Sequence, residues 1–176
     1  MLTTVEATHA IKRAMAPFDT EAVALDRAVG RVLRQAVHAE RDQPPFDRVM
    51  MDGIAIRFAE FDEGQRTFPI QSRQHAGDPA QTLEAGRCIE IMTGACLPEG
   101  ADCIVPVERI TVSDGVAEIE AGYEATSRQH IHTRGSDHTE GTQLLRPGTR
   151  IAPADVAIIA SAGLTEVEVS RLPVIR

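Results

Sequence analysis

The chain has 176 residues, 43% of them hydrophobic, which is enough to bury a core in one compact domain or two small ones and excludes global disorder. Its 26 acidic residues outnumber 18 basic ones, and the resulting formal charge of −8 argues against binding to nucleic acid or to an anionic membrane surface. Aromatic residues make up only 3%, so the stacking platforms of single-strand binders are scarce as well.

A short amphipathic helix is predicted over residues 4–16. Thr3 and Glu6 have the spacing of a capping box, in which each side chain bonds the backbone N–H of the other residue. Pro17 is expected to end the helix. The apolar stripe consists of Ala7, Ile11, Ala14 and Met15. A stripe of this kind needs a partner surface, either in this chain or beyond it.

The segment from residue 21 to residue 41 has a mixed pattern. "AVAL" favours a short strand, "DRAVG" a turn of helix ended by Gly30, and "RVLRQAVHA" a second extended segment. In the middle of the chain, glycines and prolines recur so closely that long helices are excluded between roughly residues 67 and 128. The middle is therefore predicted to be β.

One hairpin is visible within this β region. Ser113, Asp114 and Gly115 separate two runs, and beyond them the apolar residues Ala117 and Ile119 alternate with glutamates. The alternation predicts a hairpin with one solvent-exposed face.

The last part of the chain contains a Pro-Gly turn at Pro147, then "APADVAIIASAG", which has Pro153 in its first turn and Gly163 just past its end. This pattern predicts a helix, and the alternating "TEVEVS" after it predicts a strand. We expect residues near 20 to 40 to pair with residues near 140 to 170, around a central β module.

The cysteines and the N-terminus bear on the cell compartment. Cys88, Cys96 and Cys103 are odd in number and lack CxxC spacing, which is typical of reduced core thiols in a cytoplasmic protein. The N-terminus has no apolar core of a signal peptide, and no run approaches the ~18 apolar residues of a membrane span. We therefore expect a soluble, cytoplasmic protein.

Asp52 and Thr93 are the first candidates for chemistry. Asp52 precedes Gly53 directly after an apolar run; a carboxylate there can cap its own turn, which residue mechanics favour, or can project into a site. Thr93 follows a strand and precedes Gly94, so its hydroxyl could hold an oxyanion or a metal-bound oxygen, although Thr-Gly is also an ordinary turn.

A second candidate region is "HIHTRGSDHTEG". His130 and His132 would face the same side of a strand, as paired metal ligands could, and Asp137 could complete a zinc site. Loops rich in histidine are more often solvated than metal-bound. From the residues alone, no reaction can be assigned.

Four segments in order give a stronger indication. "GRVLRQAVHAERDQPPFDRVMMDGIAIR" resembles the pattern GRVLAEDVxAxxDxPPFDxSAMDGYAVR of MoeA-type molybdopterin molybdenumtransferases, the family that includes the gephyrin E region. "CIEIMTGACLPEGADCIVPVE" is similar to the family's IRIMTGAxLPxGADAVVxxE, and "HTRGSD" to its xRRGED. The block "LLRPGTRIAPADVAIIASAGLTEVEVSRLPVIR" follows. The resemblance covers essentially the whole chain and corresponds to the first two domains of the family.

The resemblance implies a mostly β fold with short helices (α+β), with a β module inserted into a small α/β lobe. It divides the chain into an N-terminal helix over residues 1–18, a discontinuous lobe of residues 19–39 and 140–176, and an inserted β domain of residues 40–139.

It also implies an activity, the insertion of molybdate into adenylylated molybdopterin with release of AMP, assisted by Mg²⁺. The active site is expected in a cleft of a homodimer, between the β domain of one subunit and the pterin-binding domain of the other. Asp52, Thr93 and Asp137 match catalytic positions of the β wall, Arg134 and His132 match positions that bind the substrate, and Asp52 and Asp137 could share the cation. Molybdopterin adenylyltransferase is the expected pathway partner.

Three positions that are polar or small in the family pattern are apolar here, since Val49 and Met50 replace Ser and Ala, and Ile54 replaces Tyr. His132 stands where Arg is expected. The pterin-binding domain is expected beyond the last residue of this chain, so we expect the 176 residues to be inactive alone and to need that domain in a longer chain or in trans. The alternative is a non-catalytic assembly module that kept the fold.

Overall fold

The computed structural model of the protein describes residues 2–16 and 18–174. Strands dominate and the helices are short, which confirms the predicted fold class. In chain order, the elements are α1 (Thr4–Ala14), β1 (Thr20–Ala24), β2 (Val37–His38), β3 (Arg48–Val49), β4 (Gly53–Ile56), α2 (Phe58–Asp62), β5 (Thr67–Gln74), β6 (Cys88–Ile91), β7 (Cys103–Pro106), β8 (Ile110–Ser113), β9 (Val116–Ile119), β10 (Ile131–His132), β11 (Gln143–Leu145), α3 (Pro153–Ser161) and β12 (Glu166–Ser170). Within the described ranges, no helix is both long and apolar enough to cross a membrane.

The chain forms two compact units. The first consists of the chain up to Arg41 together with the chain from Glu140 onward, and the second consists of the residues between, Asp42–Thr139. All of the candidate site residues belong to the second unit.

In the first unit, α1 begins with the predicted capping box. The Glu6 N–H donates to Thr3 Oγ1 at 3.2 Å, and the Thr3 N–H donates to Glu6 Oε2 at 2.8 Å. The helix ends at Ala14, two residues before the predicted end; Pro17, the predicted stop, lies outside the described residues. No described residue of α1 is buried, and Ile11 is 60% exposed. The predicted apolar stripe therefore has no partner in the described part of the chain.

The two ends of the chain pair as predicted. β1 and β12 run antiparallel from Thr20 opposite Ser170 to Ala24 opposite Glu166, and β2 pairs antiparallel with β11. The helix α3 has Pro153 in its first turn, where proline is preorganised, and the Ala152 N–H donates to Asp155 Oδ2 at 2.8 Å. The core between these elements includes Leu33, Val37, Ile151, Ile159, Val167 and Val169.

The prediction of an extended segment over residues 31–39 is only partly correct. Val32 and Leu33 make isolated bridges to two different partners, Arg150 and Val169, and only β2 is a strand. The turn of helix predicted before Gly30 is a 3₁₀ turn at Leu25–Arg27. This stretch changes pairing partner within one residue, which hydrophobic alternation does not reveal.

The second unit is built on one six-stranded sheet with the order β7-β4-β6-β5-β9-β8. The β5–β6 pair is parallel, and the other pairs are antiparallel. The predicted hairpin joins β8 to β9 through Asp114 and Gly115, at φ values of 50° and 75°. Two consecutive residues with positive φ match the twist of a tight hairpin.

The strand β4 is buried on both faces of this sheet. Ile54 and Ile56 face one cluster of buried side chains, and Ala55 faces another. Both faces of the sheet are therefore covered, which explains why "GIAI" is apolar throughout and does not alternate. Asp52 is fixed to a rigid element because it immediately precedes this strand.

All three cysteines are free. Burial, with the charge of Glu90 adding to it, raises the pKa of the Cys88 thiol to about 12. Burial beside Asp102 likewise raises the pKa of Cys103 to about 12. Cys96 is half-buried, so the expectation of a core thiol holds only for the other two.

Candidate functional site

The three motif segments lie side by side in the second unit. β3 occupies the middle position. The Val49 N–H donates to the Ala95 carbonyl, and the Gly94 N–H donates to the Val49 carbonyl, both at 2.9 Å, so the turn after β6 lies along β3. β3 also pairs antiparallel with β10, where Arg48 is opposite His132. The three motifs, far apart in sequence, therefore form one surface.

Asp52 is held by Thr93 and not by its own turn. Asp52 Oδ1 accepts from the Thr93 backbone N–H and from the Thr93 hydroxyl, both at 2.7 Å. These hydrogen bonds, the hydroxyl first, hold the pKa of Asp52 below its ordinary value, although slight burial opposes them. The interpretation of Asp52 as a residue that caps its own turn is wrong, because its partner lies 41 positions away. The other oxygen, Oδ2, has no protein partner among the described residues.

Gly53 explains why a glycine follows Asp52. A Cβ at this position would lie 2.0 Å from the Val105 carbonyl oxygen, which is backbone and cannot rotate away. Glycine thus lets β4 approach β7 closely, with Gly53 opposite Pro106. The Asp-Gly pair places a carboxylate just before the first residue of β4. A residue with a side chain at position 53 could not approach β7 as closely.

His132 and Asp137 form a second group. His132 Nε2 lies 2.9 Å from Asp137 Oδ1, and His132 Nδ1 lies 3.1 Å from Arg48 Nη2. The His132 side chain is 26% exposed and that of Asp137 is 48% exposed. Among the described residues, neither Asp52 nor Thr93 makes a hydrogen bond to this pair, so the two groups are held independently of each other within the sheet unit.

Arg134 lies on the loop between His132 and Asp137 and is braced by two aspartates that the sequence analysis missed. Its backbone N–H donates to Asp47 Oδ1 at 2.8 Å, and its side-chain Nε donates to Asp42 Oδ2 at 2.7 Å. Asp47 also accepts from Arg128 at 2.7 Å. Burial tends to raise the pKa of Asp47, but the hydrogen bonds from Arg134 and Arg128 outweigh it and the pKa is lowered.

A signal for these two aspartates was present in the sequence. Asp42 and Asp47 flank the Pro-Pro-Phe segment just before Asp52, within the same motif. Their carboxylates fix the loop of residues 133–137, whereas the Arg134 side chain itself is 65% exposed. Arg134 is therefore presented to solvent from an anchored backbone.

The Asp52–Thr93 pair can accept hydrogen bonds but has few left to donate. The Thr93 N–H and O–H are both used by Asp52, so what the pair offers to a ligand is oxygen lone pairs. Such a pair suits a cation or an N–H donor. The suggestion that Thr93 holds an oxyanion through its own hydrogen is not favoured by this geometry.

A small recess adjoins the Asp52 carboxylate. A cavity of about 190 Å³ is lined by Asp52, Gly53, Glu90, Met92, Val107, Ile110 and Val112. Its walls are mostly aliphatic, with two carboxylates at the margin. Asp52 thus stands between this apolar recess and the open surface.

The zinc interpretation of the histidine-rich loop is wrong for this arrangement. His130 has a left-handed backbone with φ of 55°, so it does not alternate with His132 along a strand as predicted. Both ring nitrogens of His132 lie within hydrogen-bonding distance of side chains. Across residues 2–16 and 18–174, no group of three or more His, Cys, Asp or Glu residues could hold a metal ion. A cation shared by Asp52 and Asp137 stays a prediction.

Comparison with known proteins decides the family. A family model described as the MoeA N-terminal region (domain I and II) matches residues 2–163. The chain belongs to the MoeA N-terminal region family. The resemblance inferred from the motifs is thereby confirmed.

Individual relatives agree with this assignment. A protein of Synechocystis sp. named molybdopterin molybdenumtransferase is 32% identical over 98% of this chain and 45% of its own length. One of the same name from Bacillus subtilis is 33% identical over 89% of the chain and 38% of its own length. The crystal structure of a molybdopterin biosynthesis moeA protein from Pyrococcus horikoshii matches with a TM-score of 0.79 and 32% identity, over 86% of this chain and 41% of that one. The chain spans less than half the length of these relatives.

The residues that depart from the MoeA pattern differ in their burial. Val49 and Ile54, where the pattern has Ser and Tyr, are 1% and 0% exposed and belong to the two cores of the sheet. Met50 is 54% exposed and lies beside the candidate site. Two of the three apolar changes are therefore changes of packing, and only the change at Met50 alters the exposed surface.

Proposed function

We propose that this chain supplies one wall of an active site that inserts molybdate into adenylylated molybdopterin, with release of AMP, in molybdenum cofactor biosynthesis. The observation that carries the proposal is the Asp52 carboxylate, which starts a rigid strand, is held through one oxygen by Thr93 and exposes the other. Membership of the MoeA family and relatives named molybdopterin molybdenumtransferase support it.

In this proposal Asp52 helps to hold Mg²⁺. The donor set fits, because Mg²⁺ prefers hard oxygen ligands and is usually bound by one or two carboxylates, several waters and substrate phosphates. Asp52 Oδ2 and Thr93 Oγ1 are the oxygens that remain available, and Asp137 would be the second carboxylate. A cation at this place neutralises charge on phosphate or molybdate oxygens.

Arg134 and His132 would contact the anionic substrates. The Arg134 guanidinium is exposed on an anchored loop and carries a permanent positive charge, which suits phosphate and molybdate oxygens. The Asp42 carboxylate that accepts from its Nε keeps the guanidinium oriented while leaving its other N–H donors for an anion.

The site needs a covering surface. Asp52, Thr93, Arg134 and Asp137 are all exposed, whereas phosphate chemistry of this kind requires exclusion of water. We propose that the second wall comes from a pterin-binding domain of another subunit in a homodimer. That domain would be part of a longer chain or would be supplied in trans. The uncovered apolar stripe of α1 supports association, since its Ile11 and Met15 are 60% and 61% exposed. The substrate would be delivered by molybdopterin adenylyltransferase, in the cytoplasm.

The proposal is tested with a chimera in which this chain replaces the matched region of the Synechocystis molybdenumtransferase. With adenylylated molybdopterin, molybdate and Mg²⁺, the chimera is expected to release AMP, and the 176 residues alone are expected to release none. A folded chimera without AMP release contradicts the proposal. So does release by the isolated chain at the rate of the intact relative, because no second wall would then be needed.

The alternative, an assembly module without chemistry, rested on the changes at Val49, Met50 and Ile54. Two of these, Val49 and Ile54, lie in the cores, so only Met50 changes the exposed surface. The chimera separates the two hypotheses, because an assembly module leaves AMP release at the background level.

A further inference from the structure

We propose that His132 is a positioning residue that links Arg48 to Asp137 and fixes the Asp137 carboxylate through its Nε2–H. The three side chains form a chain of two hydrogen bonds, of 3.1 Å between Arg48 Nη2 and His132 Nδ1 and of 2.9 Å between His132 Nε2 and Asp137 Oδ1. The role assigned to Asp137 in catalysis rests on the proposed function; the hydrogen-bond chain itself does not.

The contact with Arg48 determines which ring nitrogen of His132 carries the proton. A guanidinium has five N–H donors and no acceptor, so the Arg48 contact requires a lone pair on His132 Nδ1. In the neutral ring the proton is then on Nε2, from where it points at the carboxylate. Arg48 thus imposes the tautomer, and the tautomer imposes the direction of the second bond.

The backbone holds the first of these contacts in register. Arg48 and His132 are directly opposite each other in the β3–β10 pair, where side chains on one face lie close enough to interact. β3 is in turn fixed to the turn of residues 93–96 through both the N–H and the carbonyl of Val49. The same short strand therefore carries the support for Asp137 and the support for the turn that bears Thr93.

A histidine is suited to this place in a way that arginine is not. An Arg side chain at position 132 could donate to Asp137, but it would set a second guanidinium against Arg48 and offer it no acceptor. The imidazole has an acceptor on one edge and a donor on the other, held rigidly apart by the ring. An imidazole at position 132 is thus matched by Arg48 on the neighbouring strand.

The consequence is an Asp137 that is presented in one orientation. One oxygen is occupied by the imidazole, and the loop that leads to it is anchored through the Arg134 N–H on Asp47. Partners of this kind, which orient a side chain that itself contacts a ligand, commonly matter for function nearly as much as the contacting residue.

The hydrogen-bond chain is tested by NMR on the whole 176-residue protein with ¹⁵N-labelled histidine. Neutral imidazole in water already favours a proton on Nε2, so the deciding signal is a His132 Hε2 resonance protected from exchange with water. We expect this resonance in the wild type, its loss in Asp137→Ala and in Arg48→Met, and its retention in Asp62→Ala, a change at an exposed aspartate at the end of α2. A ring protonated on Nδ1, or an Hε2 signal unaffected by Asp137→Ala, overturns the proposal.

Two substitutions separate the two bonds. In His132→Gln the amide nitrogen takes the place of Nε2 and keeps the donation to Asp137; in His132→Asn the carbonyl takes the place of Nδ1 and keeps only the contact with Arg48. In the chimera we expect the Gln variant to retain most of the AMP release and the Asn variant to lose about tenfold or more. Equal rates for the two variants contradict the positioning role. If the unmodified chimera is itself inactive, the proposed function fails while the NMR result still decides the inference.

Discussion

Gln74 is the polar side chain most deeply buried in the sheet unit, and its removal is expected to be costly. It is 0% exposed, its Nε2 donates to the Cys96 carbonyl at 2.6 Å, and its Oε1 accepts from the Gln81 N–H at 2.9 Å. Gln74→Leu has a similar volume but leaves both backbone groups without their partner. A buried polar group without a partner costs about 1–3 kcal/mol, and since these two are half-buried we expect a total loss of about 2–4 kcal/mol.

Urea unfolding followed through Tyr123 measures this loss. Tyr123 is the single tyrosine, there is no tryptophan, and its ring packs against Phe61 in the same unit, so its emission reports on the sheet unit alone. With a slope of about 2 kcal/mol per M for a unit of this size, the midpoint should fall by roughly 1–2 M urea. Local loosening of the turn after Met92, whose N–H donates to the Gln74 carbonyl, should also broaden the Thr93 NMR signals.

Gln71 provides a matched control. Its side chain makes the same two kinds of bond, donating to the Thr82 carbonyl and accepting from the Glu84 N–H, each at 2.9 Å, but on the solvent side. Water replaces these bonds in Gln71→Leu, so the loss should stay below about 1 kcal/mol. Equal losses at Gln74 and Gln71, or an unchanged midpoint in Gln74→Leu, would refute the reasoning from buried hydrogen bonds.

Three further outcomes are expected. Gly53→Ala should destabilise the sheet unit by about 3 kcal/mol or more in the same urea assay, because its Cβ would overlap the Val105 carbonyl oxygen; an unchanged midpoint would show that β4 and β7 separate easily. Thr93→Val should raise the pKa of Asp52 toward its ordinary value in a carboxyl ¹³C titration and Thr93→Ser should restore it, since the hydroxyl is the largest cause of the lowered pKa; equal titration of all three would exclude that bond. The pKa of Asp47 is lowered in the folded state, so its carboxylate stabilises the protein above the unfolded pKa of about 3.9 and loses this contribution as the pH falls through the folded pKa. Wild type should therefore be more stable than Asp47→Asn at pH 7, and the difference should shrink below about pH 4. A stability difference that is independent of pH would argue against an ionised Asp47 as the partner.

Local features of the fold were predictable because neighbouring residues determine them. The capping box of α1, the proline at the start of α3 and the two-residue hairpin at Asp114 each depend on residues within four positions of one another. The pairing of the two chain ends followed from the position of the β module in the middle of the chain, with short elements on either side of it. The end of α1 was misjudged by two residues. The extent of strand in residues 31–39 was overestimated, because the pairing partners there change from residue to residue.

The motifs indicated candidate residues for a site but not the contacts that these residues make. The motifs indicated Asp52, Thr93 and Asp137, but nothing in the spacing shows that Thr93 donates to Asp52 across 41 positions. Likewise, the sequence suggested that His132 could bind metal. The contact between its Nδ1 and Arg48 was not visible there, because the two residues are 84 positions apart. The burial of Ile54 was equally hidden, since whether an apolar residue next to a motif faces a core or a ligand depends on which strands flank it.

The central claim is that the Asp52 carboxylate contacts the reacting substrates or their cation. The most direct measurement is single-turnover AMP release by the chimera with Asp52→Asn, which preserves size and the contact surface but removes the negative charge, beside Asp62→Ala as a control. We expect a fall of about 100-fold or more for Asp52→Asn, the size typical of losing one preorganised electrostatic contact, and no change for Asp62→Ala. A rate for Asp52→Asn equal to that of the unmodified chimera would contradict the account.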